Sequence, residues 1–489
     1  MIHLDPLTSL RDPSLVRTCP LIDGTWLEGR PRFDVLNPTT GTVLRAVESS
    51  LAADAITAID AADRAFAAWR TLNVKVRSRM LRDWFDLILA NVEDLARILS
   101  AEQGKPLKEA RGEIVYGASF VEWYAEEAKR VAGELLPAFE AGRKLMVMRE
   151  PIGVCAAITP WNFPVAMITR KVAPALAAGC TVIVKPAEQT PLSALALAEL
   201  AQRAGLPPGV LNVLPADSRV SMEIGKVLCS SPTVRHLSFT GSTPVGRLLM
   251  AQSAPTVKKL ALELGGNAPF IVFDDADIGL AVEGLLASKF RNAGQTCICP
   301  NRIYVQADIH GEFVSRLSGA VLGLTHGDPF DERTFLGPMI DTSAVEKAQR
   351  HVDDAVKRGA RLVTGGHSVD DRFFLPTVLD GVNESMQCFN EETFGPIAPI
   401  RRFETEAEVL QLANDSESGL AAYIYTSEVA RIFRVVEALE CGMVGINTGS
   451  ISSEQVPFGG IKQSGLGREG GTAGMNEYTE MKYVCWGGG

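Results

Sequence analysis

The chain has 489 residues, more than the roughly 250–300 that one hydrophobic core usually serves, so we expect two large domains. Its composition, 46% hydrophobic and 22% charged, is typical of an ordered α/β protein. The net charge of −10 repels a phosphate backbone, and no Lys/Arg-rich run offsets it, which argues against a nucleic-acid partner. No segment reaches about 18 uninterrupted apolar residues, and the first residues do not resemble an export signal. We therefore expect no membrane partner and a cytoplasmic location.

The cysteines and histidines show no metal-binding pattern. Nine cysteines are an odd number without framework spacing, which predicts reduced thiols. Six histidines never fall in HxxxH or HxH spacing, and C-x-x-C does not occur. We expect neither a structural zinc site nor a metal cofactor.

The first third of the chain reads as helices. From about Ala53 to Val131, apolar residues recur at three- and four-residue spacing, in AITAIDAADRAFAAW and then in RSRMLRDWFDLILANVEDLARILSAEQGK. Such amphipathic helices cover another part of the protein.

Two series of short β-branched runs follow. From Gly153, the runs GVCAAITP, TVIVKP, VLNVLP, RHLSFTG and KKLALELGG alternate with helical segments. After Gly266 come FIVF, RIYVQ, RLVTGG, AAYIYTS and GMVGINT. This alternation predicts βαβ crossovers and a parallel sheet in each of two α/β domains, with ligands in the crevice at the carboxyl ends of the strands.

Two ribbon-like segments stand apart from these series. Residues Gly133 to Gly153 read as an inserted hairpin, and the C-terminal YTEMKYVCWGGG reads as an apolar strand. They favour pairing with another subunit as much as they favour ordinary surface hairpins.

Two motifs fit a nucleotide without specifying one. In FTGSTPVGRLL, a strand ends in Thr-Gly-Ser before a helix, whose N-terminal N–H groups can bind phosphate oxygens; a simple capped turn fits equally well. In KPAEQTP, Lys185 and Glu188 stand where a strand ends, and a cation and a carboxylate there can grip a ribose. A solvated salt bridge is the alternative.

The stretch FRNAGQTCIC, Phe290 to Cys299, holds two cysteines one residue apart. They offer only half of a metal site, and a disulfide between them would close a strained ring. One reactive thiol with a bystander, or two buried inert residues, remain. Four further motifs accompany the pair: ITPWNFP, LELGG, EETFGP and PFGGIKQSGLGRE.

Together, in this order, these motifs closely resemble the aldehyde dehydrogenase superfamily, and the resemblance runs from IDGTW near Leu21 to KYVCWGGG. Within it, FRNAGQTCIC, WNFPVAMITRK and GINTGSISSEQVPFGG look most like the succinate-semialdehyde dehydrogenases, and next the glutarate-semialdehyde dehydrogenases. The resemblance implies an α/β fold with a Rossmann-like cofactor domain (1–131 and 152–264), an α/β catalytic domain (265–470) and a small β oligomerisation ribbon (132–151 and 471–489). A homodimer or homotetramer is expected.

The resemblance also implies residue roles. Cys297 is the nucleophile, Asn162 with the Cys297 N–H forms the oxyanion hole, and Glu263 activates the hydrolytic water. Lys171 and Glu469 match positions that assist proton transfer. The implied cofactor is NAD, with NADP possible, because Glu188 repels a 2′-phosphate. The implied cofactor-binding residues are Thr159, Pro160, Trp161, Lys185, Glu188, Gly241, Ser242, Glu392 and Phe394.

The implied substrate is a semialdehyde with a distal carboxylate, for which arginine is the natural partner. The matching residues are Arg170, Arg291, Ser452 and Phe458. Cys299 is either a passive residue or a redox partner of Cys297. A thioester transferred to coenzyme A and a catalytically silent scaffold stay open as alternatives, although Glu263 argues against the first.

Overall fold

The computed structural model describes residues 5–487, which fold into two large sheets, a three-stranded ribbon and covering helices. The strands are β1 Leu21–Ile22, β2 Thr25–Trp26, β3 Arg32–Leu36, β4 Val43–Glu48, β5 Glu134–Leu136, β6 Arg143–Pro151, β7 Val154–Ile158, β8 Thr181–Lys185, β9 Leu211–Val213, β10 Val234–Thr240, β11 Lys259–Glu263, β12 Ala268–Val272, β13 Pro300–Gln306, β14 Arg361–Thr364, β15 Thr377–Asp380, β16 Ile397–Phe403, β17 Ser418–Gly419, β18 Ala421–Tyr425, β19 Met443–Ile446, β20 Ile461–Lys462, β21 Gly465–Leu466 and β22 Thr479–Gly487. The helices are α1 Ala52–Trp69, α2 Val74–Ala90, α3 Val92–Gln103, α4 Leu107–Glu127, α5 Ala166–Ala178, α6 Pro191–Arg203, α7 Ser218–Ser230, α8 Thr243–Ser253, α9 Ile278–Lys289, α10 Ala307–Leu322, α11 Thr342–Lys357, α12 Gln387–Asn390, α13 Glu406–Asn414, α14 Val429–Ala438 and α15 Gly471–Glu477.

The first sheet has the order β2-β1-β9-β8-β7-β10-β11-β21. The middle strands β9, β8, β7, β10 and β11 are parallel to one another. The strands on either side of them, β1 and β21, pair with them in the antiparallel direction. Every residue of β8, TVIVK, is buried, as expected for a parallel strand covered on both faces. The parallel sheet predicted from the βαβ alternation is confirmed.

The second sheet has the order β14-β15-β16-β13-β12-β18-β19 and is parallel except for the pair β14 and β15. The sequence pattern predicted its strands β12, β13, β14, β18 and β19 but missed β15 and β16. Strand β16, IAPIRRF, contains Pro399 and two arginines, which hide a buried strand from a search for continuous apolar runs. Strand β15, TVLD, is as short as the predicted strand β14.

The helical region packs against the first sheet and brings α4 against α5. The predicted second helical segment divides into α2 and α3 at Asn91, whose φ of −110° and ψ of 20° leave the helical region. The Asn91 side chain donates to the Leu87 carbonyl at 2.8 Å, so it ends α2 by a local bond that competes with helix continuation.

Strand β6 pairs antiparallel with both β5 and β22, which forms the three-stranded ribbon. Large apolar side chains remain exposed on and beside it: Leu135, Phe139, Met481, Tyr483 and Trp486. The predicted domain boundaries stay a prediction, and β21, in the range assigned to the catalytic domain, pairs with β11 of the first sheet. Within residues 5–487, no helix is both long and apolar enough to cross a membrane.

Candidate active site

A cleft with a volume of about 290 Å³ opens where β7, β10 and β11 end and where the loop after α9 approaches them. The structure brings most of the predicted site residues together here: Pro160, Trp161, Asn162, Arg170, Gly241, Ser242, Glu263, Arg291, Cys297, Glu392, Phe394, Ser452 and Phe458. Other lining residues were not predicted from the sequence: Tyr116, Phe163, Met167, Thr240, Leu264, Gly265, Thr296, Ile298 and Lys347. Phe163 and Gly265 lie inside quoted motifs, whereas Tyr116 and Lys347 lie within helices and carry no local signal.

The loop that carries Cys297 has an unusual backbone. After α9, three consecutive residues adopt left-handed dihedrals: Asn292 with φ 51°, Ala293 with φ 54° and Gly294 with φ 75°. Alanine adopts this region at a cost of roughly 1–2 kcal/mol, so contacts elsewhere must hold the loop in place. A Cβ at Gly294 would collide with the Gly395 carbonyl, so the loop packs directly against the segment that follows Glu392.

The Cys297 thiol is neutral in this environment. Burial raises its pKa to about 12, and the nearby Glu392 carboxylate adds to the rise, while Arg170 opposes it. A thiol with such a pKa must lose its proton to a neighbouring base before or during attack on a carbonyl carbon.

The Asn162 side chain is fixed at both of its polar atoms. Its Nδ2 donates to the Gln295 carbonyl at 3.1 Å, and its Oδ1 accepts from the Phe163 N–H at 3.1 Å. One Nδ2 hydrogen is used by Gln295, so the second remains for a ligand in the cleft. The amide therefore points a preorganised donor from the end of β7 toward the cysteine loop.

Glu263 is a buried carboxyl at the end of β11. Among residues 5–487, neither of its oxygens has a hydrogen-bond partner. Burial raises its pKa well above the ordinary value, and the charge of Glu469 raises it further, against Arg170 and Lys171. A carboxyl with a raised pKa and free oxygens suits a general base that serves a substrate or water.

Glu469, unlike Glu263, is paired with two cations. Its Oε2 lies 2.6 Å from Arg170 Nε, and its Oε1 accepts from Lys171 Nζ. Burial alone would raise the pKa of Glu469, but Lys171 and Arg170 outweigh it, so the pKa lies below its usual range. Lys171 and Glu469 thus form an ion pair directly behind the cleft and do not line it.

Two arginines with aromatic neighbours line the cleft. Arg170 is 1% exposed, and its guanidinium lies 4.1 Å from the centre of the Phe458 ring. Its Nη2 has no hydrogen-bond partner within the part of the chain that the structure describes. Arg291 lies over Phe163 at 4.8 Å. Unused donors on a buried cation favour an anionic ligand.

Tyr116 also lines the cleft and was not predicted. Burial raises the pKa of the Tyr116 hydroxyl, whereas Arg170, Arg291 and the Ser452 hydroxyl lower it. The phenol therefore stays protonated at neutral pH and offers a further donor beside Ser452.

The residues expected to bind a dinucleotide lie at the carboxyl ends of β7, β8 and β10. Lys185 Nζ is 3.9 Å from Glu188, and burial lowers its pKa. The hydroxyls of Thr159 and Thr240 are buried, and no partner for them occurs in residues 5–487. Ser242 stands at the N-terminal end of α8 and makes no side-chain capping bond. These unused polar groups fit ribose hydroxyls and a pyrophosphate.

The Glu392 segment closes the same end of the cleft. Burial raises the pKa of Glu392 to about 7, although the Gly266 N–H, 3.2 Å from its Oε1, favours the charged form. Phe394 has a φ of 56° and meets Trp161 edge-on at 5.5 Å. An aromatic pair beside a carboxylate suits a ribose and its attached ring.

Cys299 does not line the cleft. It is 1% exposed, and its Sγ lies 3.4 Å from the Lys289 carbonyl at the end of α9. Burial raises the pKa of this thiol as well. Its role as a redox partner of Cys297 stays a prediction.

Comparison with known proteins identifies the family. The sequence profile of the Aldehyde dehydrogenase family matches residues 26–484. The 3-sulfolactaldehyde dehydrogenase of Pseudomonas putida is 55% identical over 486 residues, covering 99% of each chain. The NADP(+) succinate-semialdehyde dehydrogenase GabD of Escherichia coli (strain K12) is 55% identical over 482 residues, 98% of this chain and 99% of that protein. The solved structure of succinate-semialdehyde dehydrogenase from Burkholderia pseudomallei is 57% identical, with a TM-score of 0.96 over 98% of this chain and 100% of that one. The chain therefore belongs to the aldehyde dehydrogenase family and has its fold.

Proposed function

We propose that this aldehyde dehydrogenase oxidises a carboxylate-bearing semialdehyde, succinate semialdehyde, to the diacid with NAD as the preferred cofactor. The observation that carries the proposal is the composition of the cleft. It joins Cys297, Asn162 and Glu263 with two arginines in a space of about 290 Å³. A neutral aldehyde would need neither arginine.

The covalent step uses the Cys297 sulfur. Its proton passes to water in the cleft as the sulfur attacks the aldehyde carbon, and the carbonyl oxygen becomes an oxyanion bound by Asn162 Nδ2 and the Cys297 N–H. Because Asn162 is already held by Gln295, this donor needs no reorganisation, and losing such a donor typically costs about 2.7–4 kcal/mol of barrier. When bound, a nicotinamide would accept hydride from the same carbon, which would leave a thioester on the Cys297 sulfur.

Glu263 then activates the water that hydrolyses the thioester. Its oxygens have no hydrogen-bond partner in residues 5–487, and its raised pKa makes its carboxylate a stronger base than an ordinary one. The ion pair of Lys171 with Glu469 keeps a second carboxylate charged behind it, which raises the basicity of Glu263. The presence of this base also favours hydrolysis of the thioester by water over transfer of its acyl group to coenzyme A.

The distal carboxylate binds at the arginine end of the cleft. Arg291 and the free Nη2 of Arg170 supply the positive charge, and the hydroxyls of Ser452 and Tyr116 add donors. The Phe458 ring packs against the guanidinium of Arg170 and fixes the orientation of that planar group. Glutarate semialdehyde is the alternative substrate, since one methylene changes binding by only about 1–3 kcal/mol.

Glu188 supports NAD over NADP. It stands at the end of β8 beside Lys185, where a carboxylate accepts ribose hydroxyls and repels a 2′-phosphate. Thr159, Pro160, Trp161, Gly241, Ser242, Glu392 and Phe394 complete the proposed cofactor site.

A steady-state panel tests the proposal. Succinate semialdehyde, glutarate semialdehyde, 3-sulfolactaldehyde, butanal and benzaldehyde are each compared with NAD and NADP by following reduced nicotinamide. The expected result is the highest kcat/KM for succinate semialdehyde with NAD. Equal kcat/KM for butanal and succinate semialdehyde would contradict the arginine site, and a preference for NADP would contradict the role of Glu188.

The exposed apolar side chains of the ribbon support a homodimer or homotetramer. Light scattering after size exclusion tests this, and a monomer at micromolar concentration would refute it. The cytoplasmic location stays a prediction that cell fractionation tests.

A further inference from the structure

We infer that Asn292 is a positioning residue that holds the oxyanion donor and the nucleophile loop in register. The inference rests on the proposed roles of Asn162 and Cys297, which lie on opposite sides of the cleft. Asn292 itself is 3% exposed and does not line the cleft, so it acts through other residues.

The Asn292 side chain bonds to both sides. Its Nδ2 donates to the Asn162 main-chain carbonyl at 3.1 Å and to the Gln295 carbonyl at 3.3 Å. The same Gln295 carbonyl accepts from Asn162 Nδ2. Asn292, Asn162 and Gln295 therefore form a closed ring of hydrogen bonds, and Gln295 lies just before Cys297 in the chain. A shift of Asn292 would move the oxyanion amide and the cysteine N–H relative to each other.

The remaining polar atoms of Asn292 are also bonded. Its Oδ1 accepts from Gln103 Nε2 at 3.1 Å, which fixes the orientation of the amide. Its main-chain N–H donates to Glu109 Oε2 at 3.0 Å, and its carbonyl accepts from Gln295 Nε2 at 3.0 Å. Asparagine tolerates the left-handed dihedrals found here better than most side chains, so the residue type suits both the backbone and the bonds.

Charged groups surround the ring and bear on its pH behaviour. Lys105 Nζ donates to the Asn162 carbonyl at 3.0 Å and pairs with Glu113, and Glu109 and Arg291 adjoin the same loop. Burial raises the pKa of Glu109 and lowers the pKa of Lys105. The Asn162 carbonyl thus has two donors, and only the one from Asn292 also reaches the cysteine loop.

The variant Asn292→Asp tests the donor. It keeps the size and the tolerance of left-handed dihedrals but places a carboxylate oxygen against two carbonyl oxygens. We expect the single-turnover rate of hydride transfer to fall about 10–100-fold at pH 8, as small misplacements of reacting groups do. The ratio of variant to wild type should recover as the pH falls, because the introduced carboxyl regains one donor when it is protonated. Asn292→Gly keeps the backbone conformation but has no side chain to titrate. Its single-turnover rate of hydride transfer should therefore be reduced at every pH.

The double variant Asn162→Ala with Asn292→Gly separates positioning from general destabilisation. If Asn292 acts through Asn162, the double variant is no slower than Asn162→Ala alone. Additive losses, or Asn292 variants within twofold of wild type while Asn162→Ala is impaired, would overturn the inference. An unimpaired Asn162→Ala would instead remove the proposed oxyanion role, and the positioning role with it.

A variant at Gln103 tests the inference if the Asn292 variants do not fold. Gln103→Met removes the donor that orients the Asn292 amide and retains the side-chain length. We expect a loss of about 3–10-fold in the same single-turnover rate, with the dissociation constant for NAD within twofold of wild type. A rate within twofold of wild type, in a protein of unchanged melting temperature, would overturn the inference by itself.

Discussion

One side of the cleft consists of strand ends, and the other consists of loops with left-handed backbone. Glu263 is the last residue of β11, and Asn162 lies shortly after β7, in the first sheet, where parallel pairing fixes the register. Cys297 follows the left-handed residues Asn292 and Ala293, and Phe394 opposite has a φ of 56°. Regular sheet geometry thus places the proposed donor and the proposed base, whereas packing and buried hydrogen bonds place the proposed nucleophile.

The largest effect is expected on the loop side, at the proposed nucleophile Cys297. Cys297→Ala should reduce kcat by roughly 10⁴-fold or more, because no other thiol lines the cleft among the described residues. Cys299→Ala is the matched control, two residues away and facing Lys289, and should stay within about threefold of wild type. Steady-state rates with saturating aldehyde measure both. Comparable losses in the two variants would show that the loop, and not the thiol, limits the reaction.

Cys299→Ala also tests the redox prediction. If Cys299 captures an oxidised Cys297, peroxide inactivation of wild type is reversed by dithiothreitol, and that of Cys299→Ala is not. Equal reversibility in both proteins would refute the prediction.

On the sheet side, Glu263→Gln should separate the two halves of the reaction. The thioester should still form, so a burst of about one reduced nicotinamide per site appears, while steady-state turnover falls about 10²–10⁴-fold. A base acts when deprotonated, so wild-type hydrolysis should increase as pH rises through the raised pKa of Glu263 and should decrease below it. Glu263→Asp retains the carboxylate one methylene shorter and should keep part of this pH dependence. Loss of the burst in Glu263→Gln would mean that Glu263 acts in formation of the thioester and not only in its hydrolysis.

The two sides also differ in how far the sequence predicted them. The strand rhythm and the motifs placed Asn162 and Glu263 at strand ends, because local apolar patterns determine parallel strands. The motif FRNAGQTCIC identified Cys297, yet nothing in it shows that Ala293 has a positive φ. Such a conformation depends on contacts with distant residues, here with Gly395 through Gly294.

Some of the site residues that were not predicted lie in helices that distant contacts bring to the cleft. Tyr116 lies within α4 and Lys347 within α11, where their types are ordinary for a helix. Only packing of α4 on α5 brings Tyr116 beside Arg170. Likewise, the ion pair of Arg170 with Glu469 joins residues that are far apart in the chain, so the sequence could not show that one face of Arg170 is already used.

A smaller effect is expected at the substrate end of the loop side. Arg291→Met should lower kcat/KM for succinate semialdehyde by about 10–100-fold, the loss of a charge-assisted bond of about 1.5–3 kcal/mol. Butanal should change by less than threefold, because it has no distal charge. Arg291→Lys keeps a positive charge without the planar guanidinium, so its kcat/KM for succinate semialdehyde should lie between those of wild type and Arg291→Met. Equal losses for both aldehydes would assign Arg291 to the fold of the loop, through its contact with Phe163.

The smallest effect is expected on the sheet side, at the end of β8. Glu188→Ser removes the carboxylate 3.9 Å from Lys185 and leaves that cation free for a 2′-phosphate. We expect the ratio of kcat/KM for NADP to that for NAD to rise about tenfold, equivalent to about 1.4 kcal/mol. Glu188→Gln removes the charge but keeps the size, and should give a similar gain with NADP. Because Glu188 stands at a strand end whose backbone does not depend on it, the aldehyde KM should not change in either variant. A change in aldehyde KM would mean that the sheet side, like the loop side, transmits local substitutions to the reacting groups.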